Sequence, residues 1–293
     1  MVTTARDVAL PTYRVTIAAG ALGRAADVVH EVASAHRYAI ITDANVGPLY
    51  AAPLRATLGE SRTEVLTIPA GEAHKTRDSW ASLTDELLTR GFGRDSTIVA
   101  LGGGVVGDLA GFVAATFMRG VPFVQIPTSL LAMIDASVGG KTGVDTAAGK
   151  NLVGAFHQPA AVIVDTSVLE TLPRDHLRAG MAEAIKHGVL ADAAYFARIE
   201  TALPALLDAE PAATLETVAR SVEIKADVVR ADEREHGRRK TLNLGHTLGH
   251  ALEHVSGYSL LHGEAVAIGM VMAFDLSVHR LQAVPVVGPG TLP

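Results

Sequence analysis

The stretch "STIVALGGGVVGDLAGF", residues 96–112, joins a β-rich apolar run to a glycine turn and the start of an apolar helix. Comparable short apolar runs occur at residues 37–43, 63–69, 121–128 and 160–165. Helical patterns lie between the runs, for example at residues 76–90 and 105–117. Buried strands that alternate with helices predict a parallel, Rossmann-like sheet in an α/β domain.

The second half of the chain has a different pattern. Helical spacing of apolar residues continues after residue 174, at residues 177–190, 193–208, 212–231, 241–255 and 264–280. We therefore predict an α/β domain over residues 1–172 and an all-helical domain over residues 173–293. The closing "LQAVPVVGPGTLP" is rich in proline and glycine, and we expect it to be frayed.

Composition narrows the class of protein. The 293 residues are 48% hydrophobic and 19% charged, and the net charge of -6 argues against nucleic acid or an acidic membrane surface as a partner. The longest apolar stretch is interrupted by Asp108 and glycines, and the first residues resemble no signal peptide. With no cysteine, a metal site would use histidine, carboxylate and water. A cytoplasmic enzyme fits these properties.

The glycine turn suggests a phosphate site. Gly102, Gly104 and Gly107 satisfy G-x-G-x-x-G, and the following helix would offer free N–H groups to a pyrophosphate. The acidic residue expected about 20 positions later for a ribose is missing, so the Rossmann fingerprint is incomplete. We favour phosphate binding over a ligand-free turn. Asp108 is expected in the first helical turn, where a role towards the helix dipole is an alternative.

Two further loops follow predicted strands. Asp43 and Asn45 come after the first run, where α/β proteins bind ligands, although an Asx turn would explain them equally. Glu72 and Lys75 come after the next run, and the alternative there is a helix cap by Glu72 or Thr76.

The stretch "MIDASVGGKTGVDTAAGKNLVGAFHQP", residues 133–159, has no helical or strand period, so we predict a long functional loop. Lys141, Lys150 and Asn151 could bind an anionic substrate, and Asp135 lies in the same stretch. Lysine is scarce, with six residues against 19 arginines, which suggests that lysine is kept where arginine will not serve.

Histidines are concentrated in "LNLGHTLGHALEH", residues 242–254, and one more follows at His262. Glu183, His246 and His262 would give a His₂Glu metal set from three helices, with a coordination position left open. His250 would face the same pocket, whereas His254 and His187 read as structural histidines. Thr247 stands where zinc proteases of the H-E-x-x-H type have glutamate, which rules against a metalloprotease.

Five ordered motifs resemble one family. The motifs "GGGVVGD", "GGKTGVDTAAGKNLVGAFHQP", "GMAEAIKHG", "LNLGHTLGHALE" and "HGEAVAIGM" together resemble the 3-dehydroquinate synthases, over about residues 15–280. The resemblance implies a homodimeric lyase that converts 3-deoxy-arabino-heptulosonate 7-phosphate into 3-dehydroquinate and phosphate in the shikimate route. It also implies NAD, recycled within each turnover, and a zinc or cobalt ion.

The resemblance carries roles onto individual residues of this chain. The implied metal ligands are Glu183, His246 and His262. The implied NAD contacts are Asp43, Asn45, Glu72, Lys75, Gly103, Gly104, Asp108, Thr128, Ser129 and Thr171, with Lys141 and Lys150 also near the cofactor. The implied substrate contacts are Asp135, Lys141, Lys150, Asn151, Lys186, Lys225, Arg239, Asn243 and His250. Arg119 matches an arginine that reaches the neighbouring subunit's site.

Other functions remain open on the sequence alone. One is a related sugar phosphate cyclase acting on an amino analogue or on sedoheptulose 7-phosphate, although the intact "GKNLVGAFHQP" argues against the latter substrate. The others are a plain NAD-dependent polyol dehydrogenase and a remnant that binds NAD or metal with little turnover. The family continues for some tens of residues beyond residue 293, so we expect a C-terminally incomplete helical domain with reduced turnover.

Overall fold

The computed structural model describes residues 5–257 and 259–281. Nine strands occur in this part of the chain. They are β1 (Arg6–Ala9), β2 (Arg14–Ala18), β3 (Arg37–Asp43), β4 (Thr63–Ile68), β5 (Ser96–Gly102), β6 (Phe123–Pro127), β7 (Lys141–Thr146), β8 (Gly149–Phe156) and β9 (Ala161–Asp165). Seven of them form one sheet in the order β1-β2-β9-β6-β5-β3-β4, in which only the β1–β2 pair is antiparallel. The predicted parallel sheet is confirmed, and the two N-terminal strands were not predicted.

Nine α-helices accompany the strands within the described residues. They are α1 (Ala25–Val32), α2 (Gly47–Leu58), α3 (Arg77–Thr89), α4 (Gly104–Thr116), α5 (Arg174–Ala191), α6 (Ala193–Leu207), α7 (Pro211–Ala231), α8 (His246–Val255) and α9 (His262–Leu281). Helices α1 to α4 cover the sheet, and α5 to α9 form the helical part that was predicted. None of the described helices is long and apolar enough to cross a bilayer.

The predicted helix over residues 241–255 is wrong at its start. A 3₁₀ turn occupies Arg238–Asn243, and α8 begins only at His246. Gly245 separates the two with a φ of 80°, and a Cβ there would lie 2.6 Å from the carbonyl oxygen of Val266. The break matters because it makes His246 the first residue of a helix.

The predicted loop over residues 133–159 is also wrong. A π-helical turn (Ala132–Ala136) is followed by the antiparallel hairpin β7–β8. Glycines interrupt the β-branched residues of these strands, for example Gly143 between Thr142 and Val144. They are needed because the strands run very close together: a Cβ at Gly154 would lie 2.0 Å from the carbonyl oxygen of Thr142. The hairpin also packs on α4, where a Cβ at Gly111 would meet Thr142 Cγ2 at 2.5 Å.

The predicted division after residue 172 falls between the 3₁₀ turn Thr166–Thr171 and the start of α5. One cluster of buried apolar side chains crosses this point, from Val162 on β9 to Leu177 on α5 and Val222 on α7. The two parts therefore share a core, and their description as separate domains stays a prediction. The closing "LQAVPVVGPGTLP", expected to be frayed, lies outside the described residues except for its first leucine.

Candidate active site

A cleft of about 1280 Å³ lies where the carboxyl ends of β3, β4, β5 and β6 meet the helical part of the molecule. This volume exceeds the roughly 300–1,000 Å³ of ordinary ligand pockets, so there is room for a dinucleotide beside a smaller substrate. The predicted site residues that line it are Asp43, Asn45, Glu72, Lys75, Gly103, Gly104, Asp108, Thr128, Ser129, Asp135, Lys141, Lys150, Asn151, Thr171, Lys186, Lys225, Arg239, Asn243, His246, His250 and His262.

Three side chains form a compact group at the helical wall of the cleft. Glu183 on α5, His246 on α8 and His262 on α9 place their ligand atoms within 4.8 Å of one another. The Nε2 atoms of His246 and His262 lie 3.8 and 3.9 Å from Glu183 Oε1. Glu183 is fully buried, and among the described residues this oxygen has no hydrogen-bond donor. Such a donor set fits a divalent metal with an open coordination position.

The imidazoles of His246 and His262 each have a hydrogen-bond partner at Nδ1, the ring nitrogen that does not face Glu183. Nδ1 of His246 lies 3.2 Å from the carbonyl oxygen of Leu244, and Nδ1 of His262 lies 3.5 Å from Glu253 Oε2. A hydrogen bond at Nδ1 fixes the tautomer whose Nε2 lone pair is free for a metal. Burial, helped by the nearby Lys186 ammonium, lowers the pKa of His246 to about 4, so the ring is neutral at pH 7.

The lysines of the cleft are each paired with a carboxylate. Besides Lys75, which is described below, the pairs are Lys141–Glu235, Lys150–Glu253, Lys186–Glu183 and Lys225–Asp135. Lys186 and Lys225 are buried, and Lys225 Nζ lies 2.5 Å from Asp135 Oδ1. Arg239, also buried, donates to the carbonyl oxygen of Gly139 at 3.0 Å. These contacts hold the cationic groups in place before any anion binds.

The glycine turn begins α4 as predicted. Gly103 is the N-cap of the helix, and a Cβ there would lie 3.4 Å from Ser129 Oγ. The absence of a side chain leaves the backbone N–H groups of the helix start accessible from the cleft. Asp108, in contrast, lies beyond the first turn of α4, where it was expected, so the alternative of a role towards the helix dipole is wrong. Its carboxylate faces Lys75 at 3.4 Å instead.

Lys75 is 4% exposed and lies among three acids. Its Nζ is 2.8 Å from Glu72, 3.4 Å from Asp108 and 3.6 Å from Asp145. Burial raises the pKa of Asp108 to about 6, because Lys75 offsets the loss of hydration only in part and Glu72 adds repulsion. Thr76, one of the two predicted caps, accepts the hydrogen bond of Ser79 N at the start of α3.

Asp43 forms the Asx turn that was considered for it and also lines the cleft. Its Oδ1 accepts hydrogen bonds from the backbone N–H groups of Asn45 and Val46 at 2.8 and 3.0 Å. The Asx turn and a ligand-facing position are therefore compatible for Asp43.

Thr171, another predicted site residue, lies across the cleft, where its Oγ1 is 2.5 Å from the hydroxyl of Tyr50.

Comparison with known proteins decides the family. The models of the 3-dehydroquinate synthase N-terminal and C-terminal regions match residues 65–179 and 180–286. A 3-dehydroquinate synthase of Rhodospirillum rubrum is 52% identical over 272 residues, which are 92% of this chain and 71% of the relative. The chain belongs to the 3-dehydroquinate synthase family. It is an enzyme of the dehydroquinate synthase type.

Solved structures of sugar phosphate cyclases share the fold of this family member. A 2-deoxy-scyllo-inosose synthase bound to carbaglucose-6-phosphate, NAD⁺ and Co²⁺ matches with a TM-score of 0.87 and 27% identity, over 97% of this chain and 77% of the other. The 2-epi-5-epi-valiolone synthase of Streptomyces hygroscopicus, with NAD⁺ and Zn²⁺, matches with a TM-score of 0.83 and 32% identity, over 96% and 78%. These two structural neighbours therefore bind NAD⁺ together with Co²⁺ or Zn²⁺.

Arg119 is a predicted site residue that does not line the cleft of its own chain. It is exposed in the turn that follows α4, where Met118, Arg119 and Gly120 have φ values of 52°, 70° and 115°. Non-glycine residues in this left-handed region are strained, and strain of this kind is concentrated at functional sites. The position leaves Arg119 available to another molecule.

Sequence reasoning missed three acids of the site, Asp145, Glu235 and Glu253. Glu235 has a φ of 61° and accepts a hydrogen bond from Asn243 Nδ2 at 2.8 Å while it pairs with Lys141. Glu253 was hidden in the histidine-rich stretch, although its spacing of three from His250 places it on the same helix face. The other two lie in segments without a period, so no signal identified them.

His254 and His187, which were interpreted as structural histidines, do not belong to the Glu183–His246–His262 group. His254 is exposed in the last turn of α8. His187 is fully buried, and burial lowers its pKa to about 4, so its ring is neutral.

Proposed function

We propose that the chain converts 3-deoxy-D-arabino-heptulosonate 7-phosphate into 3-dehydroquinate and phosphate, as a carbon–oxygen lyase of the shikimate route. NAD and one Zn²⁺ or Co²⁺ ion per subunit would be its cofactors, and the cytoplasm its compartment. The observation that carries the proposal is that one cleft combines the Glu183–His246–His262 group, the glycine turn and five acid-paired lysines. So many cations suit a substrate that carries a carboxylate and a phosphate, whereas a neutral polyol offers them no anion.

Glu183, His246 and His262 would hold the metal ion. When bound, the ion would polarise adjacent substrate oxygens, and NAD would accept a hydride and return it. Lys186, which pairs with Glu183 in a fully buried position, would keep the carboxylate oriented between the two imidazoles. The three ligands come from three helices, so the substrate can approach on the cleft side.

The glycine turn and the loops after β3 and β4 would hold NAD. Gly103 and Gly104 would offer backbone N–H groups to the pyrophosphate. The residues proposed to contact the rest of the cofactor are Asp43, Asn45, Glu72, Lys75, Asp108, Thr128, Ser129 and Thr171. Because a recycled cofactor must stay bound through the reaction, a deep cleft suits this role better than a surface groove.

The remaining polar residues would hold the substrate. Lys150, Asn151 and His250 would bind the phosphate, and Lys141, Lys225 and Arg239 would bind the carboxylate and hydroxyl groups. Burial lowers the pKa of His250, so its ring is neutral at pH 7 and can donate a hydrogen bond to a phosphate oxygen. Asp135, Asn243 and Lys186 would orient these cationic groups and the hydroxyls nearest the metal.

We propose a homodimer in which Arg119 completes the cleft of the partner. Its exposed position outside its own cleft supports this arrangement.

One assay tests the function. Purified protein is mixed with the heptulosonate phosphate, NAD and Zn²⁺ or Co²⁺, and inorganic phosphate and NADH are followed together. Phosphate release without net NADH is the expected result. Accumulation of NADH would indicate a dehydrogenase, and neither product would indicate a protein that binds without turnover.

A related cyclase activity is the second candidate, since the two cyclase structures above have the same fold at 27% and 32% identity. An amino analogue of the substrate and sedoheptulose 7-phosphate, supplied in the same assay, separate it from the main proposal. Faster turnover of either compound than of the heptulosonate phosphate would favour it.

A further inference from the structure

Glu253 is a buried carboxylate between the metal group and the β7–β8 hairpin. It is 2% exposed, and its Oε1 accepts a hydrogen bond from Lys150 Nζ at 2.8 Å. Nδ1 of His262 lies 3.4 Å from Oε1 and 3.5 Å from Oε2. Nε2 of His250 lies 4.0 Å from Oε2. One carboxylate thus contacts a proposed metal ligand and a proposed phosphate ligand.

This carboxylate is paired with a cation on the cleft side. Its Oε1 accepts the hydrogen bond of the Lys150 ammonium at 2.8 Å, and a charge-assisted pair of this kind favours the ionised form of the carboxyl group. The Lys150 ammonium would lie where a cation would have to bind, so a second metal ion at Glu253 is disfavoured.

We propose that Glu253 is a positioning residue with two effects. It fixes the imidazole of His262 so that Nε2 faces Glu183, and it moderates the affinity of Lys150 for phosphate. The inference rests on the proposed function, which assigns His262 to the metal and Lys150 to the phosphate.

The effect on the metal follows from the hydrogen bond at Nδ1. With Glu253 as acceptor, His262 keeps its proton on Nδ1 and its lone pair on Nε2, and the ring cannot turn away. An amide at position 253 can still accept one hydrogen bond, but it would serve the imidazole and the ammonium poorly together. Metal affinity should therefore fall when Glu253 becomes glutamine.

The effect on phosphate has the opposite sign. A phosphate bound to Lys150 would lie close to the Glu253 carboxylate, and like charges at such distances repel strongly inside a cleft. Lys150 also lies 3.4 Å from Glu72 Oε1, so this second acceptor still holds the ammonium when Glu253 is neutral. Phosphate should therefore bind more tightly to the variant, and the native carboxylate would favour release of phosphate as a product.

The test uses metal-free protein carrying Glu253→Gln. Co²⁺ is titrated by visible absorption, and inorganic phosphate is titrated by calorimetry in the presence of NAD. We expect the Co²⁺ dissociation constant to rise about 10- to 100-fold and the phosphate dissociation constant to fall several-fold. Asp275→Asn, which removes an exposed carboxylate from α9, is the matched control and should change neither constant.

Weaker binding of both Co²⁺ and phosphate would indicate a general loss of structure at the site and would overturn the proposal. An unchanged dissociation constant for either ligand would also overturn it. Glu253→Asp is the second variant, because it keeps the charge but shortens the reach: Co²⁺ should bind more weakly while phosphate affinity stays near that of the wild type. Failure of the wild type to bind Co²⁺, or equal phosphate binding by wild type and Lys150→Met, would instead contradict the proposed function.

Discussion

The three histidines at the site, His246, His250 and His262, differ in the groups that contact their imidazole rings. His246 is held by a backbone carbonyl and His262 by Glu253, whereas His250 is half exposed and reaches no oxygen of Glu183 within ion-pair distance among the described residues. The separation into two metal ligands and one substrate ligand can be tested directly.

We expect His246→Ala to lose the bound metal and His250→Ala to keep it. A three-ligand site that loses one imidazole binds zinc far more weakly, while removal of a residue beside the site leaves the ligand set intact. Metal content after dialysis, measured by atomic absorption, gives the answer. Loss of metal from the His250→Ala protein would show that the division between the two histidines is wrong.

Asp108 predicts a pH dependence of stability. Its folded pKa of about 6 lies above its usual value of 3.8, so between these pH values the folded state binds the proton more tightly than the unfolded state. Its contribution to stability is therefore most favourable at low pH and is lost as the pH rises through about 6.

Asp108→Asn removes this dependence. The free energy of unfolding of the wild type, minus that of the variant, should fall by on the order of 2 kcal/mol between about pH 4 and pH 7. Urea unfolding of the metal-free proteins measures the difference, and Asp275→Asn serves as an exposed control. A difference that stays constant with pH would mean that folding does not raise the pKa of Asp108.

At the scale of elements, the hairpin β7–β8 carries Lys141, Lys150 and Asn151 into the cleft. Its position depends on glycines that let the two strands and α4 approach one another. The register pairs Gly143 with Gly154 at the closest point.

Gly154→Ala should displace the hairpin, because the new Cβ would lie 2.0 Å from the carbonyl oxygen of Thr142. We expect a loss of about 1–3 kcal/mol in the free energy of unfolding and a higher KM for the substrate phosphate. Gly23→Ala is the control, since nothing lies within 4 Å of its added Cβ. Equal urea midpoints for the two variants would contradict this account of the hairpin.

The same hairpin shows why part of the fold could not be predicted from the sequence. The strands β3, β5 and β9 were predictable because each is a run of buried apolar residues, and the histidine spacing indicated one wall of the metal group. The two strands of the hairpin contain no such run, because glycine and polar residues interrupt their apolar residues, so the hairpin was predicted as a loop. Asp145 and Glu235 belong to the site because they form ion pairs with Lys75 and Lys141, which are distant in sequence. No local sequence pattern indicates such a pair.

At the scale of the whole molecule, the cleft needs both halves of the chain. The glycine turn and the hairpin come from the α/β half, and the metal group comes from the helical half. Arg119 stands apart from both, exposed at a strained turn beyond α4. If it serves the cleft of a partner subunit, two different inactive variants should complement each other.

The final prediction uses Arg119→Ala mixed with His246→Ala. In a mixed dimer the Arg119→Ala subunit keeps its own metal ligands and receives an intact arginine from its partner, so one of the two sites is complete. Random reassociation makes half of the dimers mixed, and phosphate release should recover to about a quarter of the wild-type rate. Each variant alone, refolded in the same way, should stay inactive. If Arg119 acted within its own chain, neither site of the mixed dimer would be complete, and mixing would restore nothing.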